Sequence, residues 1–152
     1  MGLDMYLRAK LYLSNYDFRP DEKALNTAIR ETLGFSHWND ETVSAEVSLT
    51  VGYWRKSNQI HRWFVENMQH GKDECQEVWV DRVGLEKLRD TCAQALEKRD
   101  PSLLPPQSGF FFGSTDVDEW YWEDVERTRD LLDRILADER LKNWEFYYQS
   151  SW

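Results

Sequence analysis

Cysteine is scarce in this chain of 152 residues: Cys75 and Cys92 are its only two. Two thiols seventeen positions apart cannot build a disulfide framework. With three histidines and no second Cys-x-x-Cys half, they also lack the ligand spacing of a structural zinc site. Long apolar runs are missing too, and none approaches the roughly 20 residues of a membrane-spanning helix. Asp4 and Arg8 interrupt the first apolar stretch, so no uncharged core of a secretory signal follows. Positive charge is in deficit, with 19 basic against 28 acidic residues and a formal net charge of -9. That balance disfavours a general coat on DNA or RNA, whose phosphates are held by basic side chains. A local basic pocket stays compatible with it. These absences together lead to the expectation of a cytoplasmic protein with no membrane contact, no metal and no cofactor.

Aromatic rings, by contrast, are abundant: eight tryptophans, seven tyrosines and seven phenylalanines. They gather at Tyr53-Trp54, Trp63-Phe64, Phe110-Phe111-Phe112, Trp120-Tyr121-Trp122 and Trp144 to Trp152. Large rings build a core from few residues, and they also anchor partners and stack on flat ligands.

The period of the apolar residues changes along the chain. Leu3, Met5, Leu7, Ala9, Leu11 and Leu13 share one parity, which predicts a half-buried strand. Pro20 opens a helix to Leu33 with the stripe Leu25, Ala28, Ile29 and Leu33, and Gly34 stops it. Val43, Ala45, Val47, Leu49 and Val51 alternate with polar residues, a second strand. Gly52 reads as a turn, after which Tyr53, Ser57, Ile60, Phe64 and Met68 fall at helical spacing. A short strand at 77–80 precedes Asp81, the N-cap of a helix carrying Leu85, Leu88, Cys92 and Leu96. The prolines of 100–108 mark an ordered loop, and Gly109–Gly113 reads as a buried strand. Ser114 or Thr115 is expected to cap a long helix to about Glu139, with Val117, Trp120, Tyr121, Thr128, Leu131, Leu132 and Ile135 inward. Trp144–Trp152 closes the chain as a strand. The pattern predicts one α+β domain over 1–152, a mixed or antiparallel sheet packed against about four helices.

The densest polar constellation lies in Gly52–Trp63. Ser57 and His61 are four apart on one helical face, with Asn58 beside them. A serine next to a histidine resembles the start of a nucleophilic site, but no GxSxG surrounds Ser57, so no catalytic residue is assigned. A polar network is the simpler reading, with Asp124 on the long helix as partner to His61, Ser57, Tyr53 or Arg55. A ligand reading uses the same residues: Trp54 stacks, Arg55 and Lys56 hold an anion, and Asp124 accepts hydrogen bonds. Ser114 and Thr115 would add an anion-binding helix start, although Gly109–Thr115 is not a GxxxxGK[ST] phosphate loop. Asp116–Arg134 carries eight acids and three arginines, the pattern of a solvated helix face or of a dock for a basic protein. Asp116, Asp118, Glu119 and Glu123 match no metal-ligand spacing. Trp54 and Trp122 are the interface candidates.

Met1–Leu7, Gly52–Lys56 with Asn58, Ile60, His61 and Trp63, the stretch Leu104–Thr115, Asp118–Trp122 and Trp144–Trp152 together resemble a family of small uncharacterised bacteriophage and prophage accessory proteins. The resemblance spans nearly the whole chain. It implies an accessory role toward a host system, inside the host cell, and brings no activity, cofactor or residue role with it. The resulting expectation is a non-enzymatic protein that binds a host protein or sequesters a small nucleotide-like ligand. The alternatives are an enzyme on a nucleotide-related metabolite, and a structural or assembly factor or acidic nucleic-acid mimic. Oligomeric state is not readable from the chain.

Overall fold

A computed structural model describes residues 2–152. It has the expected α+β class. Four strands, β1 (Asp4–Leu13), β2 (Ala45–Arg55), β3 (Val78–Val80) and β4 (Glu145–Ser151), form one antiparallel sheet in the order β2-β1-β4-β3. Val78 pairs with Tyr148, Trp79 with Tyr147 and Val80 with Phe146. The four helices are α1 (Pro20–Thr32), α2 (Asn58–Asn67), α3 (Arg82–Lys98) and α4 (Glu119–Ala137). The chain divides into two compact units, Met1–Ala9 with Thr50–Trp152, and Lys10–Leu49.

In the larger unit the alternation of β1 does what its parity predicts: Leu3, Met5, Leu7 and Ala9 are fully buried. Against them lie Ile60 and Phe64 of α2, Leu85, Leu88 and Cys92 of α3, and Tyr121, Val125, Leu132 and Ile135 of α4. Phe64 stacks on Tyr148 of β4 with centroids 3.9 Å apart and planes 8° from parallel. Asp81 caps α3 as its position foretells, accepting from Gly84 N at 2.6 Å.

Three boundaries differ from the sequence reading, each for a physical reason. Gly52 is not a turn, because β2 continues through it to Arg55. A Cβ there would come within 2.9 Å of Leu131 and 3.2 Å of Leu7, so the glycine lets core side chains close over the strand. The chain turns instead at Lys56, whose φ of 57° lies in the left-handed region, and α2 starts at Asn58. Gly109–Gly113 is a turn and no strand, with Phe110 exposed and only Phe112 buried. The cap of α4 is Asp118, which accepts from Tyr121 N at 3.1 Å, so neither Ser114 nor Thr115 serves. The inward face of α4 carries Tyr121, Val125, Thr128, Leu132 and Ile135, while Val117, ahead of the helix, and Trp120, in its first turn, are exposed.

The smaller unit is built around polar groups. Its α1 buries Asn26 and Arg30, while Leu25 and Leu33 of the expected apolar stripe are exposed. Asn26 Nδ2 donates to Leu13 O at 2.9 Å and Val43 O at 3.0 Å, and its Oδ1 accepts from Arg30 Nε at 2.6 Å. Arg30 also donates to the carbonyl of Trp38 and to Thr27. Glu22 accepts from Ser14 N and Oγ, and with Arg19 these bonds pull its carboxyl down to about 2. Side-chain bonds to backbone here replace the apolar packing that a short helix otherwise needs.

Candidate functional site

The left-handed turn at Lys56 opens a cleft of about 470 Å³ in the larger unit. One wall is the end of β2 with Tyr53, Arg55 and Lys56; the other is the start of α4 with Trp120, Glu123, Asp124 and Arg127. Asn58 and Gln59 of α2, Tyr121, and the segment around Ser114 and Asp116 complete it. Gly113 is needed at its edge: its φ is 87°, and a Cβ would lie 3.1 Å from Lys56 Cβ.

Asp124 is the chemically uneven point of the cleft. Its Oδ1 accepts from Arg127 Nη2 at 2.8 Å, and the pair is open enough to water that Arg127 is more than half exposed. Burial nevertheless pushes the Asp124 carboxyl above its ordinary value, outweighing Ser57 and Arg127, which pull it down. Ser57 is fully buried beside it, and its hydroxyl is the neighbour that draws the carboxyl down most.

The remaining charges are partly committed. Tyr53 OH donates to Asp4, which raises the phenol, and Arg55 Nη1 lies 3.5 Å from the same carboxylate. Ser114 Oγ donates to Asp116 Oδ2 at 2.9 Å and accepts from Asp116 N, a local turn. Asp118 holds the amide end of α4. The helix start thus lies beyond Ser114 and Thr115, which do not present the expected anion-binding amides of α4. Thr115 is exposed and is not part of the cleft wall.

Of the residues singled out in the sequence, Arg55, Lys56, Asn58, Ser114 and Asp124 line the cleft and Ser57 lies behind Asp124. Asn58 is a clamp: it donates to Phe112 O at 3.1 Å and Ser114 O at 2.8 Å, and accepts from Gln107 N at 3.0 Å. Both its amide hydrogens and its oxygen thus hold 107–114 onto α2. Trp54 is only 1% exposed and its indole donates to Thr128 Oγ1 at 2.8 Å, so it packs the core and faces no partner. Trp122 is half buried under the Arg99 guanidinium, 4.5 Å from the ring.

The expected His61–Asp124 cluster does not form. His61 is fully buried, with Nδ1 2.7 Å from Tyr148 OH and Nε2 2.8 Å from Asp73 Oδ2. The proton arrangement that satisfies all three has Nε2–H donating to Asp73 and Nδ1 accepting from Tyr148. Trp152 Nε1 donates to the other Asp73 oxygen at 3.1 Å. This chain ties the 72–75 loop to α2 and β4. The partners lie in segments whose proximity no helical wheel contains. Trp120 was missed as a cleft residue for the related reason that its helix starts later than the sequence suggests.

Among the described residues no group of three or more His, Cys, Asp or Glu side chains is placed to hold a metal, and no helix is long and apolar enough to cross a membrane. Compared with known proteins, the chain matches no family model, no curated protein and no solved structure.

Proposed function

We propose that this protein works by binding rather than by turnover, and that the cleft between the end of β2 and the start of α4 is where a small ligand is held. The observation that carries this is the cleft itself: about 470 Å³ of space whose walls set the Asp124–Arg127 pair and the Arg55 and Lys56 side chains beside two aromatic rings. The exposed rings of Tyr53 and Trp120 line the same space and provide faces for stacking. Catalysis has no comparable support. Ser57 has no histidine base, because His61 is bound to Tyr148 and Asp73. The setting is the cytoplasm of a host cell, which the resemblance to phage proteins implies.

A host protein is the second reading, and it rests on different residues. In the smaller unit Phe18, Leu25, Leu33, Phe35 and Trp38 are each about half exposed or more, which is unusual for one short segment. The test is capture from a concentrated metabolite extract followed by native mass spectrometry. An unchanged molecule bound at one per chain, released by heat, supports sequestration. Many equivalents of altered substrate per protein would overturn it in favour of an enzyme. A captured host protein with an empty cleft would move the weight to the second reading.

A further inference from the structure

We propose that the free edge of β2 is a docking site for an extended peptide, which joins the sheet as a further strand along Val51–Arg55 and occupies the cleft beside α4. This rests on the binding reading above and gives the ligand its class, a polypeptide backbone.

The register of β2 on β1 fixes which backbone groups are free. Lys56 N donates to Leu3 O at 2.8 Å, and Gly52 lies against Leu7. Tyr53 meets Tyr6 with ring centroids 5.5 Å apart, and Arg55 Nη1 lies 3.5 Å from Asp4. All four pairs belong to one antiparallel register. Opposed residues in such a ladder alternate between bonded and unbonded pairs. With Lys56 bonded inward, Trp54, Gly52 and Thr50 bond inward too. The N–H and C=O of Val51, Tyr53 and Arg55 therefore point away from β1. On that side β2 ends the sheet, and among the described residues no loop or side chain bonds to these groups.

The cleft lies along this edge. Tyr53 and Arg55 turn their side chains to the face of Tyr6 and Asp4. On the opposite face Trp54 bonds to Thr128 of α4 and Gly52 lies under Leu131. A space lined by Tyr53 and Arg55 and also by Trp120, Asp124 and Arg127 of α4 must therefore run past the rim of the strand. Along that rim donors and acceptors alternate over roughly 13 Å from Val51 to Arg55. An extended backbone matches such a row group for group, whereas a base or a phosphate engages one or two of its members.

The edge is also undefended. Sheets ordinarily guard an unpaired edge with proline, lysine or a very short strand. The other edge, β3, is only three residues long. Strand β2 has eleven residues with no proline and no lysine, and its charges stand only at Glu46 and Arg55. Val51 and Tyr53 offer an added strand β-branched and aromatic neighbours, which favours side chains of the same kinds at alternate positions of the peptide. Trp120, 74% exposed, meets the peptide from the far wall. A second copy of the chain is the other strand at hand. Pairing through the same edge would set α4 beside its twin, and 116–134 carries eight acids against three arginines, so like charges oppose it.

The test begins with amide hydrogen exchange on the full chain, read by nuclear magnetic resonance at several dilutions. Val51, Tyr53 and Arg55 are expected to exchange fast, and Gly52, Trp54 and Lys56 slowly. A displayed library of random seven-residue peptides is then selected on the full chain, and the strongest binder is synthesised and titrated calorimetrically. It is expected to bind at one per chain and to slow exchange at Val51, Tyr53 and Arg55. Methylating its amide nitrogens at alternate residues should cost at least tenfold in affinity in one parity and little in the other. Val51→Pro removes an outward N–H and no bond to β1, so it should also lose at least tenfold, while Glu126→Gln on α4 should bind as the wild type does. Circular dichroism confirms that each variant is folded, and the methylated peptides decide the matter if Val51→Pro is not. Slow exchange at the three amides in the free chain at every dilution overturns the free edge. Protection that disappears on dilution, with a dimer in sedimentation, gives the edge to a second copy and overturns the peptide. Equal loss from methylation in both parities overturns strand addition. No selected peptide, with a small molecule captured from the metabolite extract, overturns the peptide class and leaves the binding reading standing. No peptide and no captured molecule overturns both.

Discussion

Asn26 is the single side chain on which the smaller unit depends most, and its replacement by alanine has a calculable effect. It joins three separate groups: the carbonyl of Leu13, the carbonyl of Val43 and the guanidinium of Arg30, at 2.9, 3.0 and 2.6 Å. It is fully buried, so water cannot replace it without rearrangement. A buried group left without its partner costs about 1–3 kcal/mol, and more where it is charged. Arg30 keeps bonds to Trp38 O and Thr27 Oγ1, which limits its loss. Two stranded carbonyls and one weakened guanidinium give a destabilisation of about 3–6 kcal/mol. Asn26→Asp should fall between wild type and Asn26→Ala, since it keeps the acceptor for Arg30 and loses the donor to the two carbonyls. Urea unfolding followed by far-ultraviolet circular dichroism and by tryptophan fluorescence gives the numbers. Hydrogen exchange then shows whether residues 10–49 open before the rest. A loss below about 1 kcal/mol for Asn26→Ala, with unchanged exchange in 10–49, would refute the assignment of a polar core to this unit.

The acid limb of stability should carry a signature of Glu22. Its folded carboxyl is lowered to about 2 from an ordinary 4.5, so its contribution is present above 4.5 and is lost as pH falls toward 2. Glu22→Gln should therefore flatten the stability profile in that window, and an unaltered profile would show that Ser14 and Arg19 do not hold the charge. Asp124 works in the opposite sense: with its folded carboxyl raised, the wild type gains stability as pH falls through the carboxylate range. Relative to Asp124→Asn it should be less stable at neutral pH, with the difference shrinking in acid; thermal melts of both across pH check the sign. Burial pushes the Cys92 thiol up to about 12. In the native protein only Cys75, which is partly exposed, should react with an aromatic disulfide reagent, and two thiols should react in urea. His61→Phe should destabilise by about 2–4 kcal/mol, because Tyr148 OH and Asp73 both lose a buried partner. Equal stability of that variant would show the network to be incidental.

Where neighbours in sequence are also neighbours in the fold, the chain announces its structure. The parity of Leu3 to Ala9 is enough to place one face of β1 inward, and the three- and four-residue spacing of Leu85, Leu88 and Cys92 places α3. The α+β class follows from such local periods alone. Asp124 stands out in the sequence as an acid on the apolar side of a helix, and Arg55 and Lys56 as positive charge able to hold an anion; all three line the cleft. The period fails where one apolar face competes with a polar one. The spacing predicts Leu25 and Leu33 for a core stripe, yet Asn26 and Arg30 are buried because the end of β1 and the segment before β2 offer carbonyls to them. It fails again at helix ends: Trp120, in the first turn of α4, is exposed although it falls beside the apolar face.

Sequence alone determined the periods, and through them the strands, the helices and the faces that exclude water. Tertiary structure decided which polar atoms find partners. Those partners come from far along the chain: Asn58 with Phe112, 54 residues on, and His61 with Tyr148, 87 residues on. Apolar burial is nearly indifferent to which apolar neighbour supplies the contact, so a local pattern suffices to foretell it. A hydrogen bond requires one donor and one acceptor within a few tenths of an ångström and correctly aimed. Only the assembled fold fixes that geometry, and with it the assignment of His61 to a structural link and of Asp124 to the wall of a cleft.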